Sequence, residues 1–213
     1  LLLGIGRVGN IGFNEPGSHI NSGTRIITLD HITRVDASSD FNGIDNVPKR
    51  AITMGVSTIL RAKRIILMAW GSNKAEVIKR TIQGDISSEI PATFLQNHEN
   101  TTFVLDQSAA SELTRFKTPW LVGECLWTQE LKSKAIVWLC QQTNQSILKL
   151  TDRDYNNNGM SDLLAAGDRS SYDLNINMFN VLQHTITGWP GGKPNTDNSN
   201  RPERANPAKK RVI

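Results

Sequence analysis

Leu1 to Ser18, LLLGIGRVGNIGFNEPGS, decides how the rest of the chain is read. Three leucines running into Gly4, Gly6 and Gly9 predict a buried strand, Leu1 to Ile5, ending at the rim of a sheet where backbone passes close to a ligand. Gly4-Ile5-Gly6-Arg7-Val8-Gly9 also fits the dinucleotide-binding spacing, which needs a helix opening at the third glycine. Asn14, Pro16, Gly17 and Ser18 follow too soon and are turn formers, so that helix would break in its second turn.

Outward from this stretch, residues 6 to 22 read as loop, Thr24 to Leu29 as a β-branched strand, and 30 to 47 as polar and irregular. Ala51 to Val56 is apolar, and Ser57 is placed to cap a short helix through Arg61. Arg64 to Trp70, RIILMAW, is the strongest buried strand. Gly71-Ser72-Asn73 then opens a helix from about Lys74 to Gln83, with Ala75, Val77, Ile78 and Ile82 inward. A strand that ends in small residues before a helix N-terminus is a ready anion site, to which Lys74 would add a full charge; read as structure alone, Lys74 is a solvated first-turn lysine. Thr101 to Leu105 reads as another strand and Ser108 to Arg115 as a helix capped by Ser108. Alternating strands and helices predict an open α/β sheet with ligands beyond the strand carboxyl ends.

Gln129 to Gln142 carries Leu131, Ala135, Trp138 and Leu139 at helical spacing, and Asn175 to Ile186 repeats the pattern through Ile176, Phe179, Val181 and Leu182. Asp154 to Gly159 imitates half a calcium loop, but its twelfth position is Ala165 where a bidentate Glu belongs. An Asn-rich turn before a helix at Asp162 to Ala166 is the expectation there. The fold class predicted is therefore α/β: the C-terminal part of an open Rossmann-like sheet domain plus an α-helical extension. The predicted boundaries are 1–117 for the sheet domain, 118–187 for the helical extension and 188–213 for a linker rich in Pro, Gly, Asn and charge.

The formal charge of +4 over 213 residues is a property of that linker, where six basic residues meet two acidic ones. The preceding residues are neutral, which argues against nucleic acid as a partner. No apolar run approaches the length needed to cross a membrane. Cys125 and Cys140 stand without a His or Cys cluster, which argues against zinc and for a reduced, cytoplasmic protein. The first residue is not Met and lies inside an apolar strand, so the chain is expected to be a piece of a longer polypeptide.

The run GIGRVGNIGFNEPGS, then Thr24-Arg25-Ile26, Val47 to Val56 (VPKRAITMGV) and Gly71 to Ala75 (GSNKA), resembles the glucosamine-6-phosphate deaminase family in order and spacing, over about residues 1 to 117. Asp106 and Glu112-Leu113 extend the match. The resemblance implies conversion of glucosamine 6-phosphate and water to fructose 6-phosphate and ammonia, with no cofactor and no metal. It implies a hexosamine phosphate as ligand and admits a homo-oligomer.

In the family pattern a histidine opens the sugar ring from the position of Asn10, oriented by carboxylates at the positions of Val8 and Glu15; here only Glu15 is retained. Gly4 and Gly12 match positions where backbone lies against the sugar, and Lys74 matches the phosphate-binding lysine. The arginine that assists it falls near Ser39 and is absent. Ser18 and Arg25 match positions holding an allosteric sugar phosphate in hexameric members, although Ile27 replaces a lysine expected there; a surface arginine on a strand edge is the plainer reading of Arg25. The carboxylate that moves the C2 proton lies upstream of Leu1, so these residues alone are expected to be inactive. Two functions follow as expectations: a deaminase, or a degenerate sugar-phosphate-binding module regulating a fused hydrolase resembling N-acetylsugar deacetylases. A related sugar-phosphate lactonase is a third, against which the FNEP block argues.

Overall fold

In the computed structural model, which describes residues 1–166 and 170–187, the chain divides into two units, the first Leu1–Lys117 and the second beginning at Thr118. The expected linker at 188–213 lies outside the described residues.

The first unit is built on a parallel sheet of order β1-β4-β5. Its middle strand β4 is Ile65–Ala69, flanked by β1, Leu2–Leu3, and β5, Thr101–Leu105. The register pairs Leu3 with Leu67 and Leu67 with Phe103, which brings the carboxyl ends of all three strands to one rim. Ile65, Leu67 and Ala69 are buried and pack with Leu3, Ile5, Val77 and Ile78 into one core. β1 is shorter than the five residues expected, because only Leu2 and Leu3 pair before Gly4 leaves the sheet.

The other two strands do not join this sheet. β2, Arg25–Thr28, and β3, Arg50–Thr53, form a separate antiparallel ribbon in which Ile26 faces Ile52. The segment between them is not irregular: it holds α1, His31–Ala37, and a 3-10 turn, Ile44–Asn46. α1 buries no residue, so no apolar stripe announces it; the Asp30 carboxylate caps it by accepting from Ile32 N–H at 2.7 Å.

α2, Val56–Leu60, starts after Gly55 without a side-chain cap, and Ser57 instead donates to the Ser22 carbonyl at 2.9 Å. A 3-10 turn, Ser72–Lys74, leads into α3, Ala75–Gln83, which turns Ala75, Val77 and Ile78 inward as expected. The expected helix from Ser108 is two short ones, α4, Gln107–Ala110, and α5, Thr114–Lys117. Its cap is Asp106, which accepts from Ala109 N–H at 2.7 Å, rather than Ser108.

The described part of the second unit is helical: α6 Gln129–Thr143, α7 Asp152–Asn157, α8 Ser161–Ala165 and α9 Ser171–Thr187. Trp120 lies at its centre, stacked on Trp127 and edge-on to Trp138, with Ile136, Leu139, Tyr155 and Met178 around it. α9 turns Ser171, Asn175 and Met178 inward, whereas Ile176 and Phe179, expected on that face, are exposed. Asp154 belongs to α7 and closes a capping box with Thr151, so the calcium-like spacing is helix and only Asn158-Gly159 turns. α8 begins at Ser161 without a side-chain cap from that turn. Cys125 and Cys140 are free and half-buried, and burial pushes both thiols up from their ordinary pKa. Among the described residues no helix is long and apolar enough to cross a membrane.

Candidate functional site

The rim of the parallel sheet is tied together by three contacts between strand ends. After β4 the chain turns at Gly71, whose φ of 88° suits glycine, and its N–H donates to both oxygens of Asp106 at the end of β5. Lys74 folds back from the head of α3 and donates from Nζ to the Ile5 carbonyl, just past β1, at 2.8 Å. It is thus a half-buried anchor between two strand ends and not a freely solvated first-turn lysine. Loss of hydration lowers its pKa, the Asp36 carboxylate raises it and the Arg7 guanidinium lowers it.

Beyond Ile5 the glycine loop is drawn into a tight coil. Gly9 N–H donates to the Gly6 carbonyl at 2.9 Å, and Gly6 N–H to the Asn10 carbonyl at 3.1 Å. A Cβ on Gly6 would lie 1.8 Å from Asn10 Oδ1, so this glycine is what lets the Asn10 side chain fold inward. Gly12 takes a φ of 56°, while the space beside Gly4 is open.

Asn10 and Glu15, the residues expected to carry catalysis, are 6% and 5% exposed. Asn10 Nδ2 donates to the Gly12 carbonyl at 3.3 Å, leaving its buried Oδ1 without a partner. Glu15 Oε2 accepts from Thr33 Oγ1 of α1 at 3.1 Å, and its buried Oε1 has no partner. Burial pushes the Glu15 pKa up, opposed by the Thr33 hydrogen bond and by one from the Asp30 backbone. One loop therefore holds two buried acceptors whose hydrogen bonds are unmade, an arrangement that a bound donor would complete.

One turn further along α1 from Thr33, Asp36 grips Arg7 of the glycine loop: Arg7 Nε bonds both carboxylate oxygens at 3.0 Å, and Nη2 also contacts Oδ1. That pairing holds the Asp36 carboxyl below its usual range, and Lys74 contributes in the same direction. Glu15 and Arg7 are thus both held by side chains of α1, and Lys74 lies within the electrostatic reach of Asp36. Thr33, Asp36 and Arg7 went unnoticed in the sequence; the i, i+3 spacing of Thr33 and Asp36 is the only signal it offered, and it is legible only once 31–37 is known to be helical.

Ser18 and Arg25, expected at an effector site, are also brought together. Arg25 Nη2 donates to Ser18 Oγ at 2.9 Å and Nη1 to Asn14 Oδ1 at 2.8 Å. Asn14 is fully buried, and its Nδ2 donates to the Ile11 and Met54 carbonyls. Arg25 is accordingly a clasp on the FNEPGS turn, half-buried, and not a loose surface arginine. Among the described residues no three His, Cys, Asp or Glu side chains cluster as metal ligands.

The family described as glucosamine-6-phosphate isomerases/6-phosphogluconolactonase matches residues 31–104. A Bacteroides thetaiotaomicron protein described as glucosamine-6-phosphate deaminase-like is 59% identical over 212 residues, covering all of this chain and 32% of the relative. A glucosamine-6-phosphate deaminase of Rhodopirellula baltica is 46% identical over 114 residues, 54% of this chain and 45% of its own length. The solved structure of a monomeric glucosamine-6-phosphate deaminase matches with a TM-score of 0.51 and 48% identity over 52% of this chain and 46% of that one. The chain spans about a third of the first relative's length and less than half of the other two.

Proposed function

Because the chain belongs to the glucosamine-6-phosphate isomerase/6-phosphogluconolactonase family, we propose that residues 1–117 are the C-terminal part of a deaminase-like domain. In the whole protein that domain converts glucosamine 6-phosphate and water to fructose 6-phosphate and ammonia. The observation that carries this reading is the pair of unmet buried acceptors, Asn10 Oδ1 and Glu15 Oε1, on a loop whose base is held by Lys74. A hexosamine phosphate offers hydroxyl and ammonium donors to the first two and a phosphate to the third.

The roles follow from what each group can exchange. Ring opening requires a proton to leave the anomeric hydroxyl and one to reach the ring oxygen. Glu15, with its pKa raised by burial, is suited to that exchange. Asn10 Oδ1 accepts a hydrogen bond from a sugar hydroxyl and orients it, but an amide neither gives nor takes a proton near neutral pH. Gly4 leaves backbone open to the sugar, Gly12 turns the loop tightly against Thr53 Oγ1 and offers its backbone there, and Lys74 faces the phosphate. The proton shift from C2 to C1 that follows is assigned to a carboxylate outside these residues. Ser18 and Arg25 remain candidates for an effector sugar phosphate, with the clasp on Asn14 as their first duty.

A second reading rests on Asn10 itself. With no imidazole to shuttle protons, the domain would bind a sugar phosphate and regulate a fused hydrolase without turning it over. Ammonia release from glucosamine 6-phosphate by the full-length protein separates the two. Turnover that falls roughly 10²–10⁴-fold in Glu15→Gln is the expected result for the enzyme. Saturable binding with no ammonia from the wild type would establish the second reading instead.

A further inference from the structure

A phosphate ester carries close to two negative charges at neutral pH, and such groups are characteristically met by a forked guanidinium together with a point-charge ammonium. The proposed function supplies the ammonium, Lys74, while the turn that follows α1, residues 38–43, contains no basic residue. A guanidinium is nevertheless present. Arg7 is two residues beyond the Ile5 carbonyl that holds Lys74 Nζ, and its fork is already engaged with both oxygens of a carboxylate, Asp36.

We propose that Arg7 is the second phosphate-holding cation of this site, and that the Asp36 carboxylate occupies it in the ligand-free protein as an internal stand-in which a sugar phosphate displaces. The inference deepens the sugar-phosphate reading above and rests on it.

Three observations carry it. The Arg7–Asp36 contact has the two-oxygen geometry that a phosphate would reproduce. Asp36 also lies within the electrostatic reach of Lys74, as Lys74 does of Arg7, so this carboxylate is shared between the two cations of the rim. Finally, the carboxylate is carried by an element that can give it up. α1 has seven residues and none is buried, and the Arg7–Asp36 pair is solvent-exposed, a setting in which an ion pair contributes little. When phosphate takes the guanidinium, the C-terminal turn of α1 is released while Thr33 still holds the helix to Glu15, which couples phosphate occupancy to the position of α1 over the catalytic loop.

Calorimetric titration of the full-length protein with inorganic phosphate, at constant ionic strength, tests this without requiring turnover. Arg7→Gln is expected to weaken phosphate binding about tenfold or more. Asp36→Asn, which removes the internal competitor, is expected to tighten it roughly 2–5-fold. The double variant should match Arg7→Gln, since Asp36 acts only through the cation it occupies. Arg7→Lys, which keeps the charge without the fork, should fall between wild type and Arg7→Gln. The proposal is overturned if Arg7→Gln binds phosphate within twofold of the wild type, if Asp36→Asn binds it more weakly, or if neither the wild type nor Asp36→Asn binds it. Ammonia release is read separately. A protein with the expected phosphate pattern and no ammonia keeps this inference and loses the deaminase. Ammonia release with a KM indifferent to Arg7→Gln does the reverse.

Discussion

Thr33 Oγ1 donates to Glu15 Oε2 at 3.1 Å across eighteen residues of sequence, and this is the contact by which a helix with no buried residue of its own reaches the loop of Asn10 and Glu15. It supplies one of the hydrogen bonds that let a carboxylate stay buried, and it leaves the second oxygen free. Thr33→Val removes the donor and keeps the shape. Glu15 then loses the larger of the two hydrogen bonds that oppose the rise in its pKa, the other coming from the Asp30 backbone, so the acidic limb of the activity profile should move to higher pH while Thr33→Ser restores it. A profile unmoved by Thr33→Val would show that the bond does nothing for Glu15.

The raised pKa of Glu15 also fixes the sign of a stability change. Burial favours the protonated carboxyl, so between the ordinary glutamate value and the raised one the folded state holds more proton than the unfolded state. Stability contributed by this group is therefore present below the unfolded pKa and declines as pH rises through the folded one. Glu15→Gln has no such titration. Denaturant midpoints measured from pH 4 to pH 8, an experimental range of about four units around the carboxyl values, should show the variant gaining on the wild type as pH increases. A constant difference across that range would contradict the assignment.

Gly6 and Asn10 form a coupled pair, because a Cβ at residue 6 would overlap Asn10 Oδ1 at 1.8 Å. Gly6→Ala must push the amide out of its buried place, at a cost of about 1–3 kcal/mol by the measure of overpacked sites. Truncating Asn10 removes the obstacle. In a double-mutant cycle, Gly6→Ala should cost markedly less in an Asn10→Ala background than in the wild type. Additive effects in thermal or denaturant melts would mean that Asn10 does not point toward Gly6.

What could be read from the chain before the coordinates follows from where its signals are local. RIILMAW is a contiguous apolar run bounded by Arg64 and Gly71, and it is the central strand; the α3 face and α6 were legible for the same reason, since burial imposes a period. α1 left no such trace, because it is held by the Asp30 cap and by polar ties from Thr33, Arg34 and Asp36 instead of a buried stripe. The caps at Ser57 and Ser108 were misassigned because a neighbouring residue, Gly55 or Asp106, took the N-cap position first. Asn10 and Glu15 were named through the family resemblance of the GIGRVGNIGFNEPGS run, since nothing in their own spacing marks them. Arg7 and Asp36, 29 residues apart, meet only in the fold.

Arg25 tests whether the effector positions have a structural duty. Its guanidinium is the partner of Asn14 Oδ1, inside a residue with no exposed surface. Arg25→Ala strands that oxygen and should cost about 1–3 kcal/mol, as for other buried acceptors left unpaired. Arg25→Lys, with one point charge in place of a fork that makes three hydrogen bonds, should recover only part of this. If Arg25→Ala melts like the wild type, the clasp is not structural and the effector role becomes its main explanation.

In the second unit, Tyr155 and Asn175 make the corresponding test of a buried polar link. Tyr155 OH donates to Asn175 Oδ1 at 2.6 Å, and Asn175 Nδ2 donates to the Leu150 carbonyl at 2.7 Å, which ties α7, α9 and the segment before α7 through one amide. Desolvation pushes the tyrosine pKa up, so the hydroxyl remains a donor through the accessible pH range. Tyr155→Phe keeps the ring in the core with Ile136 and Met178 but leaves Asn175 Oδ1 without its donor. The expected loss is about 1–3 kcal/mol in the unfolding free energy. Pairing the change with Asn175→Leu, which removes the stranded amide as well, should return part of that loss. A Tyr155→Phe protein as stable as the wild type would mean that packing alone holds α9 to α7.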